Sequence, residues 1–248
     1  MQTIEWEKMR LPPGARILDA GCGTGRHVMS GHARGGLKIV GIDVNREDIL
    51  ACRRSIEEYA PLFAVERGKE GRGAQENGSL RPLLLQASLV DLPFREAAFD
   101  AVICSEVLEH IPDFAKAITE LIRVLKKGGV MAISVPRFLP ERICWALSRS
   151  YGRQPGGHLR VFGRRELMKL LSGKGMRLLG VRYRHALHSP YWWLKCLVGP
   201  DKDGHRLVVA YRRLLEWEIM AQPAIMAKVE RLLGPVLGKS IVFYLRKG

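Results

Sequence analysis

Ile17-Leu18-Asp19-Ala20-Gly21-Cys22-Gly23-Thr24-Gly25 runs a short apolar segment straight into alternate glycines. This reads as a buried strand, Arg16–Ala20, entering a tight turn. Glycine adopts positive φ at no steric cost and lets a ligand approach the backbone. A helix expected over Gly25–Ala33 points its positive end at that turn. Dinucleotide-binding folds use similar turns, so the neighbouring sequence must decide. A second strand, Lys38–Ile42, is followed by Asp43, where a carboxylate can accept two hydrogen bonds from ribose hydroxyls. The nicotinamide pattern is G-x-G-x-x-G. Here the glycines stand at 21, 23 and 25, with Asp19 just ahead, and an acid there can meet an ammonium group.

The alternation continues outward. A helix is expected from about Arg46 to Tyr59, then strands at Pro82–Ala87, Phe99–Cys104 and Val130–Val135. A helix over Phe114–Leu125 would close on Lys126-Lys127-Gly128-Gly129, a basic last turn followed by glycine. Strands alternating with helices imply right-handed crossovers and a parallel sheet covered on both faces. Glu66–Ser79 is polar and glycine-rich and reads as a surface loop. In the second half, helices are expected at Leu139–Arg149, Arg164–Leu171, Arg206–Met220 and Ile225–Leu233. Arg177–His185 and Ser240–Leu245 read as strands.

Composition narrows the class. The 248 residues are 47% hydrophobic and 26% charged, which fits a globular chain and excludes disorder, collagen and coiled coil. No apolar run reaches the ~20 residues of a membrane span. The N-terminus is charged, and no secretory leader is expected. Cys22, Cys52, Cys104, Cys144 and Cys196 form no C-x-x-C pair, so reduced thiols and a cytoplasmic location are expected, possessing no zinc-type spacing. The net charge is +15, and it is unevenly placed. Residues 1–136 carry 18 basic and 18 acidic side chains; residues 137–248 carry 22 and 7. A neutral unit, 1–136, and a basic one, 137–248, are therefore expected within one structural domain.

Four segments together resemble the class I S-adenosylmethionine-dependent methyltransferases, notably the small-molecule type of ubiquinone and menaquinone biosynthesis. They are ILDAGCGTG (17–25), GIDV (41–44), ASLVDLPF (87–94) with FDAVICSEVLEHIPD (99–113), and LKKGGVMAISVP (125–136). The resemblance weakens over GHLRVFGRREL (157–167). It implies an α/β, Rossmann-like, doubly wound seven-stranded sheet of order 3-2-1-4-5-7-6, with the last strand antiparallel. A helical cap, 186–237, would be inserted before that strand. It also implies S-adenosylmethionine as cofactor, lined by Asp19, Ala20, Gly21, Cys22, Gly23 and Gly25. Asp43 would hold the ribose and Val44 would pack on the adenine. The family often has an acid where this chain has Ser88. A hydroxyl accepts the adenine amino group more weakly than a carboxylate. Leu89 would offer its backbone N–H, and Ser105 would border the site.

Glu106, Glu109 and His110 follow the fourth strand and would share one face of a helical turn. His110 can then be a general base for a hydroxyl acceptor. Alternatively, the three can join a divalent-metal site or simply orient substrate. The E-x-x-E-H spacing is similar to that of ubiquinone-pathway O-methyltransferases and small-RNA 2′-O-methyltransferases. The latter add a second histidine, whose place His158 would take. Methyl transfer from a sulfonium needs alignment more than acid–base help.

The basic half holds Arg137, Arg142, Arg149, Arg153, Arg160, Arg164 and Arg165, then Tyr191, Trp192 and Trp193 beside Lys195. Aromatic and basic side chains together suit an anionic membrane surface, a phosphorylated or carboxylated lipid, or RNA. A small or lipid-like anionic acceptor is expected, with peripheral contact at the inner membrane face. The alternatives are an RNA 2′-O-methyltransferase and a cofactor-binding, membrane-associated protein without catalysis.

Overall fold

A computed structural model describes residues 3–69, 81–151, 159–221 and 223–248. The strands are β1 (Arg16–Ala20), β2 (Lys38–Asp43), β3 (Leu83–Gln86), β4 (Phe99–Ser105), β5 (Leu125–Pro136), β6 (Met176–Arg184) and β7 (Ser240–Lys247). They form one sheet of order β3-β2-β1-β4-β5-β7-β6. The first five pair in parallel, and β7 runs antiparallel between β5 and β6. β7 thus ties the basic half into the sheet of the neutral half.

The helices are α1 (Arg26–Arg34), α2 (Arg46–Lys69), α3 (Phe114–Val124), α4 (Phe138–Leu147), α5 (Arg164–Gly173), α6 (His188–Val198), α7 (Arg206–Ala221) and α8 (Ala224–Leu237). The cap consists of α6, α7 and α8, inserted between β6 and β7.

Alternate strand residues bury opposite faces, as the period of two requires. Leu18, Val102, Met131, Ile133 and Phe243 pack in one core with Ile118 and Leu121 of α3 and Leu167 and Leu171 of α5. Ile17, Ile103, Ala132 and Val242 face the other side, where Ile4, Trp6 and Met9 cover them. The charged-looking N-terminus therefore supplies three core side chains. Val28, Ile39, Cys52 and Ile56 fill the space under α1 and α2.

Three expectations need correction. α2 continues to Lys69, so the first residues of the expected 66–79 loop are helical, and 70–79 lie outside the described residues. α3 ends at Val124 without a glycine cap. Leu125 is already extended, and Lys247 Nζ donates to the orphan carbonyls of Ile122 and Leu125 at 2.7 and 2.8 Å. Lys126–Gly129 instead loops out of β5: Phe99 pairs with Leu125, but Ala101 pairs with Val130. Gly128 has φ +75°, and Lys126 Nζ meets Asp100 Oδ1 at 2.6 Å across the irregularity. A long-range partner thus replaced the local cap.

Candidate active site

The turn after β1 has the geometry its glycines foretell. Gly21, Gly23 and Gly25 have φ of +77°, +51° and +94°. Each faces a different environment. A Cβ on Gly21 would lie 2.4 Å from Val107 Cγ2, and one on Gly25 would lie 2.2 Å from Cys52 Sγ. A Cβ on Gly23 would meet nothing within 4 Å, which leaves the ligand side open. Cys22 is buried, and so are the other four cysteines, all as free thiols.

Asp43 pins this loop to β2. Its Oδ2 accepts from the Gly23 amide and its Oδ1 from the Asn45 amide, both at 2.9 Å. Each oxygen keeps a further lone pair for a ribose hydroxyl. Val44 next to it is exposed, an apolar side chain without cover, and Gln86 Nε2 holds its carbonyl at 3.0 Å. Ser88 follows β3, and its Oγ accepts from Val90 N at 3.4 Å; Leu89 is buried.

Asp19 is buried, and its Oδ2 has no hydrogen-bond partner among the described residues. Burial pushes its carboxyl up to about 7, against the opposing pull of Arg26. A reluctantly ionised carboxylate with one unpartnered oxygen beside an open glycine turn fits a ligand that brings an ammonium group.

At the end of β4, Ser105 Oγ lies 2.9 Å from Ser134 Oγ, which donates to Glu106 Oε1 at 2.8 Å. Because that serine proton is committed to Glu106, Ser105 is the donor to Ser134. Glu106 has φ +58°, a left-handed conformation costly for a side chain with a Cβ. Consequently the expected helical face of Glu106, Glu109 and His110 does not form: only Leu108–His110 turns, as a 3₁₀ helix.

Glu109 is fully buried, and neither carboxylate oxygen has a hydrogen-bond partner among the described residues. Burial, reinforced by Glu106, holds its carboxyl well above the usual range. His110 is more exposed, with Nε2 3.9 Å from Glu109 Oε1. Among the described residues, no group of three or more His, Cys, Asp or Glu side chains is arranged to hold a metal ion. His158 and Arg153 lie outside the described residues.

Sequence reasoning missed a polar cavity of about 340 Å³ beside this loop. Its lining includes Thr3, Arg26, Glu106, His185, His188 and Lys239. Arg26 follows Gly25, and Glu106 follows β4, so the cavity adjoins the cofactor turn. His185 has φ +66°, so two of the four non-glycine residues of positive φ among the described residues face this space. His185 Nε2 lies 3.0 Å from Thr3 Oγ1, and the His185 and His188 rings stand edge to face, centroids 5.6 Å apart. Burial lowers both imidazoles, His188 to about 4. The available signal was the His-x-x-His spacing of 185–188 just past β6. Its distance from the glycine motif in sequence hid the connection.

The family model described as a methyltransferase domain matches residues 5–180. The chain belongs to this family, the class I S-adenosylmethionine-dependent methyltransferases. The ubiquinone biosynthesis O-methyltransferase of Alkalilimnicola ehrlichii is 34% identical over 134 residues, covering 54% of this chain and 47% of that one. The chain spans about half the length of the curated relatives it matches. Among solved structures, the [4+2]-cyclase SpnF is similar with a TM-score of 0.59 at 21% identity, covering 97% of this chain and 78% of that one. A geranyl diphosphate methyltransferase in complex with S-adenosylmethionine has a TM-score of 0.59 at 14% identity, covering 96% and 80%. These two likenesses concern the fold, which hosts more than one chemistry. S-adenosylmethionine is the cofactor of the family, and Asp19, Gly23 and Asp43 fit its ammonium, backbone approach and ribose.

Proposed function

We propose that the protein transfers the methyl group of S-adenosylmethionine to a small or lipidic, anionic acceptor. The observation that carries this is the junction of two features. The glycine turn with its unpartnered Asp19 Oδ2 adjoins a cavity edged by Arg26, His188 and Lys239. The cofactor supplies an activated methyl; the chain binds and aligns the partners, which can supply ~7–11 kcal/mol of the barrier. Asp43 and Asp19 anchor the donor, and the Ser105–Ser134–Glu106 chain fixes the residue at the cavity edge. For a hydroxyl acceptor, His110 is the proton acceptor in this reading, with Glu109 behind it.

Incubation of the full chain with labelled cofactor and small-molecule or lipid extracts tests the proposal, read by mass spectrometry. Label transfer to an anionic metabolite is the expected result. Failure to bind S-adenosylmethionine or S-adenosylhomocysteine at millimolar concentration would sink it. Unchanged turnover in His110→Ala would remove the base role alone.

The cap supports a peripheral membrane location within the same reading. α7 turns Val208 and Leu215 inward, yet Leu207, Ala210, Leu214, Trp217 and Ala221 form an exposed apolar stripe at helical spacing. Arg206 and Arg213 flank that stripe. α8 adds Ile225, Leu232 and Val236, exposed by 65%, 77% and 65%. Apolar stripes edged by cations suit the interface of an anionic bilayer. No helix among the described residues is long and apolar enough to cross one. In flotation assays the chain should rise with phosphatidylglycerol vesicles and not with phosphatidylcholine vesicles. Leu214→Glu with Trp217→Glu should cut bound protein about tenfold or more. Equal flotation of the variant, or an RNA gel shift in place of flotation, would replace the membrane with another partner.

A further inference from the structure

We infer that the cavity beside the cofactor turn is the acceptor's anion subsite, with Lys239 as the cation that selects a carboxylate or phosphate group. This deepens the methyltransferase reading and rests on it.

Lys239 stands at the junction of α8 and β7 and lines the cavity. Its Nζ sits 4.3 Å from the centroid of the Trp192 ring. No carboxylate lies within 4 Å of it among the described residues, although other lysines of this chain have one: Lys126 meets Asp100 at 2.6 Å and Lys195 meets Asp203 at 2.7 Å. Glu141 and Glu106 attract the ammonium from beyond that distance, yet burial outweighs them and disfavours its charge, and an arriving anion relieves the cost. The aromatic face below holds the ammonium in place without neutralising it.

The other groups around the cavity favour the same ligand. Arg26 lies at its cofactor side and His188 at the start of α6. His188 is neutral because burial and the Lys239 charge both disfavour its protonation. An anion beside Lys239 would cancel part of that charge and let the imidazole share in binding. Thr3 and Ser240 add neutral hydroxyls to the lining. Glu106 is the acid in the lining, and Ser134 already engages one of its oxygens. The cavity therefore offers cations and neutral donors where the methyl acceptor must sit, next to the strand end that carries Ser105.

The test uses the full chain, with and without S-adenosylhomocysteine, and inorganic phosphate and benzoate as probes. Calorimetry and the histidine ring signals in NMR report binding. Saturable binding of either probe, with His188 shifting, is the expected result. Lys239→Gln should weaken it about tenfold or more, and Lys239→Arg should keep it within a few-fold. S-adenosylhomocysteine affinity should stay the same in both variants. Ligand-free Lys239→Gln should melt no lower than the parent chain, because burial disfavours the charge that it removes.

Phosphatidic acid vesicles separate the sources of the anion. Competition with inorganic phosphate that disappears in Lys239→Gln assigns a lipid headgroup to the cavity. Phosphate binding without such competition assigns a free small acid, and either result supports the subsite. Equal probe affinity in Lys239→Gln, or no saturable response in the parent chain, overturns it. Loss of S-adenosylhomocysteine binding in the parent chain would instead overturn the methyltransferase reading, and the probe titration without it still decides the subsite.

Discussion

Asp43→Ala should weaken S-adenosylhomocysteine binding by at least about 100-fold in titration calorimetry. Two ribose hydroxyls donating to a carboxylate contribute ~1.5–3 kcal/mol each, so their joint loss reaches that factor at its low end. The same oxygens also hold the amides of Gly23 and Asn45 at 2.9 Å. The substitution therefore releases the glycine turn as well as the ribose. The sheet does not depend on this side chain: Asp43 pairs through its backbone with Gln86 of β3, and Ile42 beside it fills the core. Far-UV circular dichroism should stay unchanged while binding is lost. An affinity within about threefold of the parent would remove Asp43 from the ribose position.

Asp19→Asn should move stability and binding in opposite directions. The carboxyl has an ordinary value of 3.8 and is raised to about 7 by burial. Below the ordinary value it is neutral in both folded and unfolded chains, and burial costs nothing through ionisation. As pH rises toward 7, the unfolded chain gives up the proton that the folded chain retains, so stability falls. Above about 7 the penalty is constant, with a ceiling of ~4 kcal/mol for a shift of this size. An asparagine cannot ionise, but its own buried polar atoms cost ~1–3 kcal/mol when unpaired. The ligand-free variant should therefore melt higher than the parent above pH 7, by a few degrees, and lose that advantage near pH 4. Cofactor affinity should fall in the same variant, because the ammonium loses its carboxylate. In the parent chain, affinity should weaken as pH drops through 7 and Asp19 takes a proton; in Asp19→Asn that pH dependence should vanish. A variant that melts lower at every pH would refute the strained-carboxylate account.

The cofactor half was readable because its signals are local. Glycine spacing at 21, 23 and 25, the acid at 43 and short apolar runs each constrain a few neighbouring residues, and the sheet order followed from the family resemblance they carry. The correction at Lys126–Gly129 shows where local reading stops. A basic turn with glycines reads as a helix cap, yet Lys247, on the last strand, caps α3 through space. Glu106, Glu109 and His110 make the same point: helical spacing implies a shared face only if the backbone is helical, and Glu106 is left-handed.

The charge asymmetry was also visible in sequence, but not its use. Arginine and lysine counts say that the second half is basic; they do not say which cation lines a cavity without a carboxylate in ion-pair range. The sequence by itself determined the sheet, the glycine turn and the carboxylates around it, since these depend on periodicity and short-range geometry. Tertiary structure alone decided the cavity, because Thr3, Arg26, Glu106, His188 and Lys239 come from separate parts of the chain. They meet only where the antiparallel β7 returns the basic half to the cofactor edge. Charge compensation is a property of distances in space, and Lys239 became distinctive only once no carboxylate within 4 Å of it could be found among the described residues.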